Sequence, residues 1–188
     1  MRLIIDTDLG MGTVGSDPED GMAILYALNA PDVRVDGLTL VQGNVPIAHS
    51  WPNAHHLLAL AGCPDLPVHA GAALPRNPNR RRLQTAWLDQ RATVPIDVRE
   101  QLFPEHEALH LYDTLAVAAA IEPDLLETHG ALVDIETSDG PAQGMTVTYR
   151  NDILREFLTG RGPNAAVAVG VDSTRFAQHF DARVADCL

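Results

Sequence analysis

Five carboxylates lie close together near the start of the chain: Asp6, Asp8, Asp17, Glu19 and Asp20. Asp6 and Asp8 follow the apolar run Leu3-Ile4-Ile5, and the other three precede the apolar run Met22–Leu28. Acids gathered this tightly repel one another unless a cation neutralises them, and an all-oxygen donor set suits calcium or magnesium better than zinc. Helix capping explains part of the pattern, since acids in a first helical turn satisfy free N–H groups and oppose the macrodipole. It accounts for Asp17 and Asp20, but not for the strand-end pair Asp6 and Asp8. Gly10, Gly12 and Gly15 separate the two acid groups, and glycines let backbone approach a ligand closely.

The elements around these residues have to bring them together. Arg2–Asp6 is expected to be a buried parallel strand, because its apolar residues are contiguous. A helix is expected next, with Asp17 as N-cap, Pro18 at the first position and Asp20 at the third, stopping near Asn29-Ala30-Pro31. Val33–Val41 is the second strand, ended by Gly43-Asn44, and Ile47–Ala61 the second helix, with an irregularity at Pro52. This alternation implies βαβ units, a parallel sheet, and ligand binding outside the carboxyl ends of the strands.

Pro75, Pro78, Pro95, Pro104 and Arg80-Arg81-Arg82 break any long periodicity between about 72 and 108, where only Leu83–Arg91 suggests a helix. Order returns with a helix over Asp113–Ile121. Strands are expected at Ala131–Glu136, Met145–Tyr149 and Ala165–Val171, and a last helix from about Ser173 to Val184. The whole of 1–188 is expected to form a single domain with an irregular Pro/Arg-rich connection.

Composition removes several classes of function. The chain has 188 residues, 46% of them hydrophobic, enough for one substantial core. Its net charge of −12 repels phosphate backbones, so nucleic acid is not an expected partner. All 13 basic residues are arginine. The lack of lysine removes Schiff-base chemistry and the lysine of a phosphate-binding P-loop. Cys63 and Cys187 form no disulfide framework and no metal pattern. No apolar run reaches membrane-spanning length, and a start that runs straight into a strand leads to the expectation of a cytoplasmic location.

The stretch Ile4-Ile5-Asp6-Thr7-Asp8-Leu9-Gly10, followed by Glu19-Asp20-Gly21-Met22-Ala23, resembles the N-terminal signature of inosine–uridine nucleoside hydrolases, Asp-x-Asp-Pro-Gly-x-Asp-Asp-Ala. Leu38–Asn44 is similar to that family's second strand, which ends in Gly-Asn, and Pro67–Gly71 to its short third strand. Tyr112-Asp113-Thr114-Leu115-Ala116-Val117 with Glu122-Pro123 resembles its His-Asp-Pro-x-Ala-Val helix and closing acidic-Pro pair. The resemblance implies a Rossmann-like α/β fold with an open, mainly parallel sheet and helices on both faces.

It also implies calcium-dependent hydrolysis of a ribonucleoside to ribose and free base. Asp8, Asp20 and Asp113 would ligate Ca2+, within coordination distance of one ion. Asn44 and Asp113 would face the ribose. Glu19 falls where the family has the aspartate that takes a proton from the attacking water, and it would also contact the substrate. Tyr112 stands where many members have a histidine near the leaving base; as a residue it is equally a half-buried aromatic at a helix start. Three departures stand out: an insertion at Met11–Ser16, glutamate in place of aspartate at position 19, and no counterpart of the family's long central segment between about Arg91 and Leu109. The chain is therefore expected to be a shortened member, and the segment it lacks supplies a threonine backbone oxygen to the calcium in the family. Members are often oligomeric, so a homo-oligomer is expected.

Other readings stay open on residues alone. One is a non-catalytic metal- or nucleoside-binding remnant of the same family. Another is a phosphatase of the haloacid-dehalogenase type, to whose Asp-x-Asp motif Asp6-Thr7-Asp8 is also similar, and a third is a purely structural module. His110 lies near Asp113 and invites the same question as Tyr112, whereas His55-His56 has no acidic partners and is expected at the surface.

Overall fold

The computed structural model describes residues 1–11, 13, 16, 18–74 and 111–184. Asp17, His110, the arginine run 80–82, the 75–110 part of the expected irregular connection and the helix expected at 83–91 lie outside the described residues. The chain divides into two compact units, Met1–Glu122 with Ala177–Leu188, and Pro123–Phe176.

The first unit begins with strand β1 (Arg2–Thr7), helix α1 (Glu19–Leu28), strand β2 (Arg34–Leu40), helix α2 (Ile47–Leu60) and strand β3 (Val68–Ala70). The strands form a parallel sheet in the order β1-β2-β3, as the βαβ alternation predicts. Asp6 pairs with Thr39 and Thr7 with Leu40, so the carboxyl ends of β1 and β2 are level. The loops leaving them therefore start side by side, which is what a site in this class of sheet requires. Leu9, Ile24, Leu25, Leu38, Leu40, Leu57 and Leu58 form the core between sheet and helices. Helix α3 (Tyr112–Ile121) adds Val117 to that core and packs against α1.

Two local expectations need correction. β1 is not buried on both faces: Ile4 is 70% exposed while Thr7 is buried. Successive side chains point to opposite faces of a strand, and among the described residues only one face of β1 is covered. Pro18 takes the N-cap position of α1 rather than the first helical position, making Asp20 the second residue of the helix. α2 carries Pro52 within it, as anticipated.

The last helix, α5 (Ser173–Val184), returns the chain to the first unit. There Arg183 donates to the Tyr26 hydroxyl and, at 2.9 Å, to Glu122, while the Asn29 side-chain amide donates to the Arg183 carbonyl at 2.8 Å. His179 also lies 2.9 Å from Glu122. These bonds join the helix to Tyr26 and Asn29 of the α1 region and to Glu122 at the end of α3.

In the second unit, β4 (Leu126–Ile135), β5 (Thr146–Tyr149) and β6 (Ala165–Val171) form an antiparallel sheet in the order β5-β4-β6. β4 is longer than the expected Ala131–Glu136. Its first half, Leu126–Gly130, has no apolar alternation, and its ladder partner is the distant β6. Helix α4 (Asp152–Thr159) was not expected, since eight residues are too few for a periodicity to stand out. It ends at Gly160, whose φ of 61° suits a helix stop. Among its described side chains Arg155 is buried, bonded to Asp152 at 2.5 Å and to the Arg161 carbonyl, whereas Ile153 and Phe157 are exposed.

Candidate active site

Asp8 is the first residue beyond β1, and its Oδ2 accepts the Asn44 backbone N–H at 2.5 Å. That bond needs Gly43: a Cβ added there would lie 1.9 Å from Asp8 Oδ2. Any side chain at position 43 would occupy the space of the Asp8 carboxylate. The Gly43-Asn44 turn after β2 thus forms a seat for the Asp8 side chain.

Asp20 is almost fully buried, at 4% exposure. Its Oδ1 accepts the Thr7 hydroxyl at 2.5 Å and its Oδ2 the Asn44 side-chain amide at 3.1 Å. Asn44 therefore joins the two carboxylates, with its backbone on Asp8 and its side chain on Asp20. Burial pushes the Asp20 carboxyl up to about 6, and the negative charges of Asp8 and Asp113 push in the same direction, against the Thr7 and Asn44 bonds. A buried carboxylate so placed is one whose environment a nearby cation would balance.

Asp113, on the first turn of α3, contributes that charge to Asp20. Its backbone N–H donates to Glu19 Oε1 at 2.6 Å. Tyr112 beside it is 66% exposed. Among the described residues no three His, Cys, Asp or Glu side chains stand together as a ready-made metal cluster. The donor set nevertheless fits a hard cation in chemistry: it is all oxygen, its charges oppose one another, and each oxygen of Asp20 uses one lone pair on Thr7 or Asn44 and retains another.

Asp6 does not join this group. It is exposed, and its Oδ1 accepts the hydroxyl of its ladder partner Thr39. Among the described residues of the insertion, the Ser16 hydroxyl lies within hydrogen-bond distance of the Gly10 and Thr13 carbonyls, the latter at 2.8 Å, and the Asn53 amide donates to Thr13 Oγ1 at 3.2 Å. His55 and His56 are exposed, as expected. Sequence reasoning missed Thr7 and Gly43. The visible trace of each was its neighbour: a hydroxyl between two strand-end acids, and the one residue beside Asn44 that carries no side chain.

Thr7→Val keeps the shape of the side chain and removes the donor. It should cost roughly 1.5–3 kcal/mol of stability at neutral pH, as expected for a hydrogen bond to a buried charged group. The loss should shrink at pH 4, where Asp20 is protonated. Chemical denaturation at the two pH values measures this, and equal losses at both would refute the assignment.

A family model for inosine-uridine preferring nucleoside hydrolases matches residues 3–90 and 79–178. The chain belongs to the inosine-uridine preferring nucleoside hydrolase family. A probable uridine nucleosidase 2 of Arabidopsis thaliana is 47% identical over 70 residues, 37% of this chain and 20% of that protein. A non-specific ribonucleoside hydrolase, RihC, of Salmonella paratyphi A is 28% identical over 187 residues, 96% of this chain and 58% of that protein. The chain thus spans 20% of the length of one of these relatives and 58% of the other. Among solved structures, a purine-preferring ribonucleoside hydrolase from Gardnerella vaginalis shares the fold, with a TM-score of 0.72 at 18% identity over 100% of this chain and 99% of that one. The nucleoside hydrolase α/β fold expected from the N-terminal signature is accordingly the fold of this chain.

Proposed function

We propose that the chain hydrolyses the N-glycosidic bond of a ribonucleoside, releasing ribose and free base, with calcium held by Asp8, Asp20 and Asp113. The observation that carries this reading is the buried Asp20 carboxylate, raised to about 6 in the company of Asp8 and Asp113, at the carboxyl ends of β1 and β2. Family membership supplies the reaction class.

Cleavage of the bond leaves positive charge on the ribosyl carbon, and carboxylates facing it stabilise that charge. Bound calcium would hold ribose hydroxyls and a water and make that water more acidic. Thr7 and Asn44 orient Asp20, and the Gly43-Asn44 seat orients Asp8. In this reading Tyr112, exposed at the start of α3, donates its hydroxyl hydrogen to the departing base, and Asn44 contacts the ribose. Glu19 is the carboxylate at the family's proton-accepting position. No described helix is long and apolar enough to cross a membrane. A cytoplasmic, homo-oligomeric protein remains part of the proposal.

Incubation with inosine and with uridine, followed by chromatography of the released base, tests the function. Release should depend on calcium, stop with a chelator and return when calcium is restored. Calcium binding without any base release supports the second reading, a nucleoside-binding member that has lost turnover. The bond from the Asp113 N–H to Glu19 favours that reading, since it engages the residue at the proton-accepting position. Neither binding nor release would end both.

A further inference from the structure

Glu19 and Asp113 are 94 positions apart in the chain, and the Asp113 backbone N–H donates to Glu19 Oε1 at 2.6 Å. The N-cap residue of α3 is Leu111, an apolar residue that supplies no side-chain cap. The first N–H groups of a helix need acceptors from elsewhere. A carboxylate there also sits at the positive end of the helix macrodipole. Glu19 is the first residue of α1, the helix against which α3 packs.

The geometry points to Glu19 as a positioning residue that caps α3 from α1 and thereby holds Asp113 facing Asp20. The inference deepens the proposed hydrolase site and rests on that reading for its functional meaning. It also gives a reason for the length of the side chain. Aspartate at position 19 would retract the carboxylate by about 1.5 Å, one carbon–carbon bond. The contact would then stretch to roughly 4 Å, beyond hydrogen-bond range. The additional methylene of glutamate spans the gap between two helices that a shorter acid leaves open.

The bond requires an acceptor oxygen and sufficient reach, but not a negative charge. Glutamine has both, aspartate lacks the reach, and alanine lacks the acceptor. Amide hydrogen exchange at Asp113 is therefore compared by NMR in the full chain carrying Glu19→Gln, Glu19→Asp and Glu19→Ala. Exchange should quicken roughly fivefold or more in the Ala and Asp variants, as for loss of a helix cap, and stay near the unmodified rate in the Gln variant. Calcium titration by calorimetry is the second readout. Affinity should fall about tenfold or more with Ala and Asp, the scale of lost outer-shell support, and hold within a few-fold with Gln.

Equal exchange in all four proteins overturns the inference, as does a Gln variant that loses calcium as fully as the Ala variant. The latter outcome would mean that the charge of Glu19, rather than its reach, is what the site uses. Should the unmodified protein bind no calcium, the function proposed above fails, and the exchange rates alone decide the role of Glu19.

Discussion

Asp20→Asn should make the cation-free protein more stable above pH 6 and, in the same protein, abolish stabilisation by calcium. The Asp20 carboxyl is raised from 3.8 to about 6, first by burial and then by the charges of Asp8 and Asp113. Between those two pH values the folded chain holds a proton that the unfolded chain has released. Stability therefore falls as pH rises from about 4 to about 6, and the deficit persists at neutral pH. At 1.36 kcal/mol per pH unit the deficit approaches about 3 kcal/mol, less whatever Asp8 and Asp113 share of the titration.

Asparagine at position 20 removes the buried charge and keeps a carbonyl for the Thr7 hydroxyl. The Asn44 side-chain amide turns over to accept from the new NH2. The cation-free variant should melt roughly 5–10 °C higher at pH 7.5, given about 2–4 °C per kcal/mol for a chain of this size. Its dependence on pH between 4 and 6 should flatten. Calcium should raise the melting temperature of the unmodified protein and leave that of the variant unchanged. Thermal melts in chelator and in calcium, across pH 4 to 8, measure all three effects. A variant less stable than the parent at pH 7.5 in chelator would show that Asp20 is held as a favourable ion without any cation.

Gly43→Ala should have the largest effect on the site for the smallest change in the chain. The new Cβ would lie 1.9 Å from Asp8 Oδ2, 2.6 Å from its Cγ and 2.8 Å from its Cβ. No rotation of the carboxylate alone relieves three such contacts, so the whole Asp8 side chain has to leave its seat on the Asn44 N–H. Gly43 does not have positive φ, so alanine meets no backbone strain and the effect belongs to close approach. Overpacking of this kind costs about 1–3 kcal/mol. Calcium affinity should fall by about 10- to 100-fold, as when the support of a metal ligand is removed. Gly140→Ala and Gly162→Ala are the controls, because a Cβ at either meets nothing within 4 Å. Calorimetric titration of the three variants decides the matter, and unchanged affinity in Gly43→Ala would remove Asp8 from the cation site.

Much of the architecture was legible in local pattern. The contiguous apolar residues of β1, the strand expected at Val33–Val41, the helical stretches of α1 and α2, and the alanine-rich α3 appear at or within a residue or two of their expected bounds. Those elements were visible because hydrophobic periodicity reports which face of a segment is buried. The extension of β4 was not, since Leu126–Gly130 becomes a strand by pairing with β6 far along the chain. α4 was not, because eight residues are too few for a helical period to stand out.

The site divides in the same way. Residue types and order alone determined the acid set, the class of cation such a set suits and the family signature, because oxygen donors and their spacing are chemical facts of the chain. Only the tertiary structure decided which acids act together. It sent Asp6 sideways to Thr39, buried Asp20 against Thr7, and joined Asp20 to Asp8 through Asn44. It also set Glu19 on the Asp113 amide. Whether a carboxylate faces a ladder partner, a helix end or another acid depends on the register of β1 on β2 and the approach of α3 to α1, and no local pattern of residues encodes either.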